Sequence, residues 1–255
     1  MCGRFVSYFD PAELAGVFDA DQVTDLPGAS WNVAPTSQVA VVRETRQNGR
    51  GPQDVSREVR GARWGLVPSW AKDLSVGGRF INARSETVTV RPAFRPAAKS
   101  RRGLVPAAGY YEWQAGSGGP KTPFFLHPED EGMMAMAALY EWWWPPVGEP
   151  RGDLAGAVAA GPEGTVTPSG AVAAPLFSVT ILTRAATDAL GAVHDRMPLV
   201  VPPEWWEAWL SHQVNTPAAV AALIESIPDP VLVPRRVGRA VGSVRNNGPS
   251  LIQPV

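Results

Sequence analysis

The sequence predicts an α+β fold: one β-rich domain spanning residues 1–255, built on mostly antiparallel sheet or a barrel-like core, with helices at its periphery. Three observations predict it. Short apolar runs recur between Gly and Pro clusters, as strands do. Helical periodicity is confined to four separate segments. A chain of 255 residues with 45% apolar content can bury a substantial core without dividing.

The first helix is read at 12–18, with Asp10 as cap, Pro11 in the first turn and Leu14, Val17 and Phe18 on one face. Strands are read at 38–43, 60–66, 103–107, 124–126, 133–139 and 177–182, each apolar and bounded by turn formers. Further helices are expected at 185–193, at 203–211, where Pro and Glu open the segment, and at 216–227. Residues 46–56 form a polar, Gly-containing hairpin tip. Residues 144–175, rich in Gly, Ala, Pro and Val and poor in charge, read as a flexible insertion between two core strands. No repeat of fixed period is visible.

Composition narrows the function. There is no apolar run of membrane-spanning length and no basic-then-apolar leader, so a soluble, cytoplasmic protein is expected. One cysteine and three histidines leave no zinc or disulfide framework, and no metal or cofactor is expected. Net charge is only −1, yet residues 79–102 hold Arg79, Arg84, Arg91, Arg95, Lys99, Arg101 and Arg102 against Glu86 alone. Such a patch can bind phosphate in a protein that is neutral overall, or it can be a solvated arginine-rich face.

The single cysteine is residue 2. Removal of Met1 would place an α-amine and a thiol on one residue. The amine can attack an aldehyde to give a Schiff base, and the thiol can then close onto the same carbon as a thiazolidine. Both groups titrate near enough to neutrality for a neighbouring base to activate them.

Several polar residues lie among Gly, Pro and aromatic residues. Glu112 falls between aromatics in Gly109–Trp113, where lost hydration raises a carboxyl pKa toward the range of acid and base catalysis. His194 falls at a helix-to-strand junction ahead of Asp195 and Arg196. Asn82 and Arg84 are two apart and share one side of an extended segment, placing an amide beside a guanidinium able to grip phosphate. Trp64 and Trp70 flank a Gly and Pro turn suited to stacking on bases, with core packing as the competing role.

These residues occur in an order that resembles one family. Cys2, Gly3, Arg4, then Trp31 to Pro35, Arg63 to Trp70, Ile81 to Arg84 with Glu86, Gly109 to Trp113, His194 to Pro198 and the tail from Ala240 to Asn246 and Leu251 to Pro254 are similar to the SRAP (SOS response-associated peptidase) family, essentially end to end. The resemblance implies a DNA-damage protein that shields abasic sites in single-stranded DNA through a covalent thiazolidine link, working as a nucleoid-associated monomer. It implies that Cys2 is the nucleophile, that Asn82 positions the opened sugar, and that Glu112 and His194 move protons. Arg4, Arg84 and Arg196 would hold phosphates. Thr183 would lie near the DNA backbone, and Asn32, Pro35, Trp64, Trp70 and Trp113 would line or wedge the DNA path. Ser69 and Trp70 offer one indole where some relatives carry two, and the 144–175 insertion exceeds what a minimal member needs.

Three other activities fit the same residues. Cys2, His194 and Glu112 could serve a cysteine peptidase, with self-removal of Met1 as its one cleavage. The basic stretch and tryptophans could serve a non-covalent single-strand binding module. The same Schiff base could undergo elimination and act as a lyase.

Overall fold

The computed structural model describes residues 2–46, 55–116, 118–145, 175–187 and 192–255. Its strands are β1 (Phe5–Ser7), β2 (Gln22–Thr24), β3 (Ser30–Val33), β4 (Gln38–Arg46), β5 (Val55–Trp64), β6 (Asn82–Arg84), β7 (Arg102–Ala107), β8 (Gly109–Gln114), β9 (Thr122–Pro128), β10 (Met134–Trp143), β11 (Leu176–Ala185), β12 (Arg196–Pro198) and β13 (Leu232–Arg236). Helices α1 (Pro11–Phe18), α2 (Arg95–Ser100), α3 (Trp206–Leu210) and α4 (Pro217–Ser226) lie around them. The fold is α+β, as expected.

The larger sheet runs β12-β11-β10-β7-β4-β5-β2, and a parallel pairing of β11 with β5 closes five of these strands into a ring. Strand alternation then divides the core in two. Val39, Val41, Ala62, Trp64, Val105, Ala138, Phe177, Val179 and Ile181 share the cluster that contains Cys2. Their neighbours Ala40, Val42, Leu104, Ala137, Leu139 and Leu182 pack instead under the helices, against Leu14, Phe18, Trp209 and Val220. The smaller sheet, β13-β9-β8-β1-β3, contributes Phe5, Tyr110 and Leu126 to the first cluster.

Local signals explain the elements. Asp10 accepts from the Glu13 N–H at 2.8 Å and Pro11 opens α1, while Val17 remains exposed. Thr216 caps α4 and Pro217 follows it. The expected strand at 60–66 stops at Trp64, because Gly65 takes φ +125° to pass against the Gly77 backbone. The expected helix at 203–211 is a 3-10 turn at 203–205 followed by α3.

The expected helix at 185–193 is corrected at its start: Ala185 ends β11, where it pairs with Arg196, and residues 188–191 lie outside the described residues. The hairpin tip falls largely on 47–54, also outside them, although Arg46 opposite Val55 fixes β4 and β5 as its antiparallel arms. The 144–175 insertion lies outside the described residues except at its flanks. No helix among the described residues is long and apolar enough to cross a membrane.

Candidate active site

Cys2 lies just ahead of β1, the strand held between β3 and β8. The Tyr111 N–H donates to the Arg4 carbonyl at 2.9 Å, which pins the chain two residues beyond the thiol. Cys2 is fully buried, in the cluster with Phe5, Trp64, Tyr110, Ile181 and Met197. Gly109 makes the approach of β8 possible, since a Cβ there would stand 2.5 Å from the Phe125 ring.

Asn82 closes the other side, its amide donating to the Cys2 carbonyl at 2.7 Å. It is held by β6, which pairs parallel with β11 in the register Asn82 to Ile181 and Arg84 to Thr183. The Ile81 carbonyl accepts both the Ile181 N–H at 3.0 Å and the Trp64 indole N–H at 2.8 Å. Asn82 Oδ1 is buried and has no hydrogen-bond partner among the described residues. A free acceptor beside Cys2 suits an amine or hydroxyl donor.

Glu112 on β8 and His194 on the loop before β12 complete the arrangement. Their Oε2 and Nε2 atoms are 3.9 Å apart, with the carboxylate buried and the imidazole partly exposed. Gln114 at the end of β8 donates to the Ala192 carbonyl at 2.8 Å and docks that loop. His194 Nδ1 receives the Arg196 N–H at 3.0 Å, while Asp195 Oδ1 stands 2.8 Å from the same nitrogen. The N–H requires a lone pair on Nδ1 and so favours the tautomer with its proton on Nε2, facing Glu112. The Asp195 carboxylate lies largely in solvent.

Electrostatics follow from burial. Desolvation pushes the Cys2 thiol well above its ordinary range, and the charge of Glu112 pushes it the same way. Glu112 is itself raised by desolvation, with His194 opposing. Tyr110 is raised far above the usual phenol range by burial, with Cys2 and Glu112 adding to the shift. The site therefore holds its thiol and phenol neutral and its carboxyl easily protonated.

The remaining predicted residues separate into three groups. Arg84 and Trp70 are exposed, Trp70 at 60%. Pro35 and Trp113 are half-buried. Pro35 and Asn32 line a 490 Å³ cleft between β3, β4 and the C-terminal segment. Others are engaged within the protein. Arg4 donates to Asn32 Oδ1 at 2.8 Å and to the Val241 carbonyl at 3.0 Å. Asn32 Nδ2 donates to the Ser243 and Asn246 carbonyls at 2.9 and 2.8 Å. Arg196 grips Glu86 with both terminal nitrogens, at 2.5 and 3.0 Å, and also reaches the carbonyl of the buried Thr183.

Trp64 is a correction to the expected base contact. It is fully buried, edge-on to Phe5 at a centroid distance of 5.1 Å, and its N–H is already bonded. The competing core-packing role is the one it takes.

Sequence reasoning gives no role to Glu86, Tyr110 or the Ile81 carbonyl. Glu86 stands in the same motif as Asn82 and Arg84, and its spacing of two from Arg84 is the one available signal. Nothing local marks the other two.

A small α+β protein with a closed sheet, a buried cysteine at the start of its first strand and a carboxyl and imidazole pair beside it is the class that fold and site define. Comparison with known proteins gives the family: the model of SRAP, SOS response associated peptidase, matches residues 1–244, and the chain belongs to that family. It is 30% identical to the abasic site processing protein YoqW of Bacillus subtilis over 99% of both chains. It is also 30% identical to the abasic site processing protein YedK of Escherichia coli over the whole of both. A crystal structure of a Bacteroides thetaiotaomicron protein shares the fold at a TM-score of 0.73 and 19% identity over the full length of each chain.

Proposed function

We propose that the protein processes abasic sites in single-stranded DNA by linking its N-terminal cysteine to the lesion. The observation that carries this reading is the setting of Cys2: Asn82 fixes its carbonyl, and its thiol feels the charge of the buried Glu112, which is itself paired with His194. The names of the two bacterial relatives point to the same lesion.

Met1 lies outside the described residues. Its removal leaves the α-amine on Cys2. An abasic deoxyribose opens to an aldehyde, and the amine lone pair adds to that carbon to give a carbinolamine. Protonation of the hydroxyl expels water and leaves an imine. The thiol sulfur then adds to the imine carbon while a proton reaches the nitrogen, closing a five-membered thiazolidine. One water leaves overall, and no oxidant or reductant is needed.

Each residue has a place in this sequence. Glu112, readily protonated because it is buried, gives a proton to the departing hydroxyl and then accepts one from the thiol as carbon and sulfur join. His194 exchanges protons with Glu112 and with solvent. Asn82 keeps Cys2 in place and offers Oδ1 to the amine or sugar hydroxyl. The amine attacks first and the thiol follows onto the imine carbon, trapping the imine before elimination can cut the strand. Arg84 and Trp70 present a cation and an indole to the DNA. Arg4, Asn32 and Arg196 hold phosphate only by exchanging or sharing their present partners.

The test is an intact mass after mixing the protein with a single-stranded oligonucleotide carrying one abasic site. The expected species is protein lacking Met1 plus oligonucleotide less one water, stable to denaturation and absent for Cys2→Ala. A normal adduct yield from Cys2→Ala, or cleavage of peptides without any DNA adduct, overturns the reading.

A further inference from the structure

We infer that Arg91, Arg95 and Lys99 form a phosphate-binding stripe that carries the DNA strand away from the lesion site, extending the footprint beyond the residues around Cys2. The inference rests on the DNA-binding function proposed above.

The stripe is periodic. The chain from Thr87 to Arg101 winds in helical turns, with Arg91 N–H donating to Thr87 O at 3.0 Å, Arg95 N–H to Arg91 O at 2.8 Å and Arg101 N–H to Ala97 O at 2.7 Å. Val88, Phe94, Ala97 and Ala98 are buried beneath it, whereas Arg91, Arg95 and Lys99 are exposed. Spacing of four residues puts the three cations on one face, spanning about 12 Å at ~1.5 Å per residue. That span faces about three successive phosphates of one strand.

Two further observations set these cations apart. Seven other arginines are engaged with carboxylates: Arg43 and Arg60 with Glu58, Arg57 with Glu44, Arg101 with Glu141, Arg184 with Asp229, Arg196 with Glu86 and Arg235 with Glu131. Arg91, Arg95 and Lys99 make no ion pair among the described residues, and positions 87–111 contain no Asp or Glu at all. Unpaired cations held side by side repel one another, a cost that a polyanion removes.

The stripe is also continuous with the site. It begins where the strand that places Asn82 and Arg84 ends, with the Thr87 N–H donating to the Arg84 carbonyl at 3.1 Å. On its other flank lies a cleft carrying Glu86, Glu225 and Asp229. Glu86 and Asp229 are neutralised by Arg196 and Arg184. Glu225 remains to repel a strand that strays toward α4, so the stripe is a track with one closed side.

The experiment compares wild type with Arg91→Gln/Arg95→Gln/Lys99→Gln on two single-stranded oligonucleotides, each with one abasic site. One is about five nucleotides long and covers the lesion alone; the other is about twenty and reaches well past it. Undamaged oligonucleotides of the same lengths report affinity across a salt series.

For the long undamaged oligonucleotide, the triple variant should bind tenfold or more weakly at low salt, and its slope of log affinity against log salt should shrink by about 2, at ~0.7 for each phosphate no longer neutralised. For the short one, affinity and adduct rate should match wild type. An unchanged slope on the long oligonucleotide overturns the stripe. Equal reductions on both lengths also overturn it, placing the effect at the lesion site or on folding. If wild type forms no adduct with either damaged strand, the proposed function fails, while the salt series still decides the stripe.

Discussion

Oε2 of Glu112 and Nε2 of His194 face each other at 3.9 Å across the boundary between protein and solvent, the carboxylate 5% exposed and the imidazole 27%. The carboxylate lies inside the protein and the imidazole reaches water, so under the proposed chemistry the pair relays protons between solvent and the buried Cys2.

Glu112→Gln should slow adduct formation by about 10²- to 10⁴-fold, the usual contribution of a positioned acid and base, while leaving affinity for undamaged single strands intact. Single-turnover kinetics and a binding titration separate the two readouts. Lost affinity would instead assign Glu112 to the architecture.

The same substitution should make stability depend differently on pH. Burial raises Glu112 above the ordinary carboxylate range in the folded protein. Its protonated form thus favours the folded state below the ordinary carboxylate pKa, and that contribution is lost as pH rises through the raised value. Gln cannot ionise. The variant and wild type should melt together in acid and diverge toward neutrality, with the variant higher by about 2–4 °C for each kcal/mol of charge burial relieved. A gap that is constant with pH would refute this.

Asn82→Ala removes the donor to the Cys2 carbonyl. The cost to stability should be about 1 kcal/mol, measured in urea. The larger effect should be on chemistry: about tenfold or more in adduct rate, since the chain bearing the nucleophile loses its fixed position. An unchanged rate would remove Asn82 from the machinery.

Arg102 is 3% exposed, and its guanidinium donates to the carbonyls of Ala98, Lys99, Trp209 and Ser211. It ties the ends of α2 and α3 to β7. Arg102→Met strips all four acceptors of their donor and should cost about 3 kcal/mol or more, lowering Tm by about 6–12 °C. A drop below a couple of degrees would show that water or rearrangement replaces the bonds.

Thr36 has φ 70°, costly for a β-branched residue, in the turn where the Ser37 N–H donates to the Ala34 carbonyl. Thr36→Gly should stabilise the protein by about 1 kcal/mol as backbone strain is relieved and glycine entropy is spent. Calorimetry checks the sign.

Legibility in the sequence tracks the range of the signal. Asp10 and Pro11, Thr216 and the alternating apolar runs act locally, and the elements they mark are present. Cys2 stands out by its position and Asn82, Glu112 and His194 by ordered motifs, and the fold places Asn82 and Glu112 about Cys2, with His194 against Glu112. The three-residue strand β6 carries no strand signature, because its pairing is supplied by β11, about a hundred residues later. Arg196 reads as a free cation until Glu86, 110 positions away, is placed against it. Trp64 reads as a base platform for the same reason: its burial is decided by Phe5 and Ile81, which the local Gly and Pro turn does not reveal.

Arg4 and Asn32 bind carbonyls at 241, 243 and 246, so residues beside the reactive end of the chain are anchored by a segment more than two hundred positions downstream. On the ribosome, a growing chain that has not yet reached Asn246 lacks those anchors. Arg4 and Asn32 therefore take these partners only after the C-terminal segment has emerged, later than β1 can pair with β8.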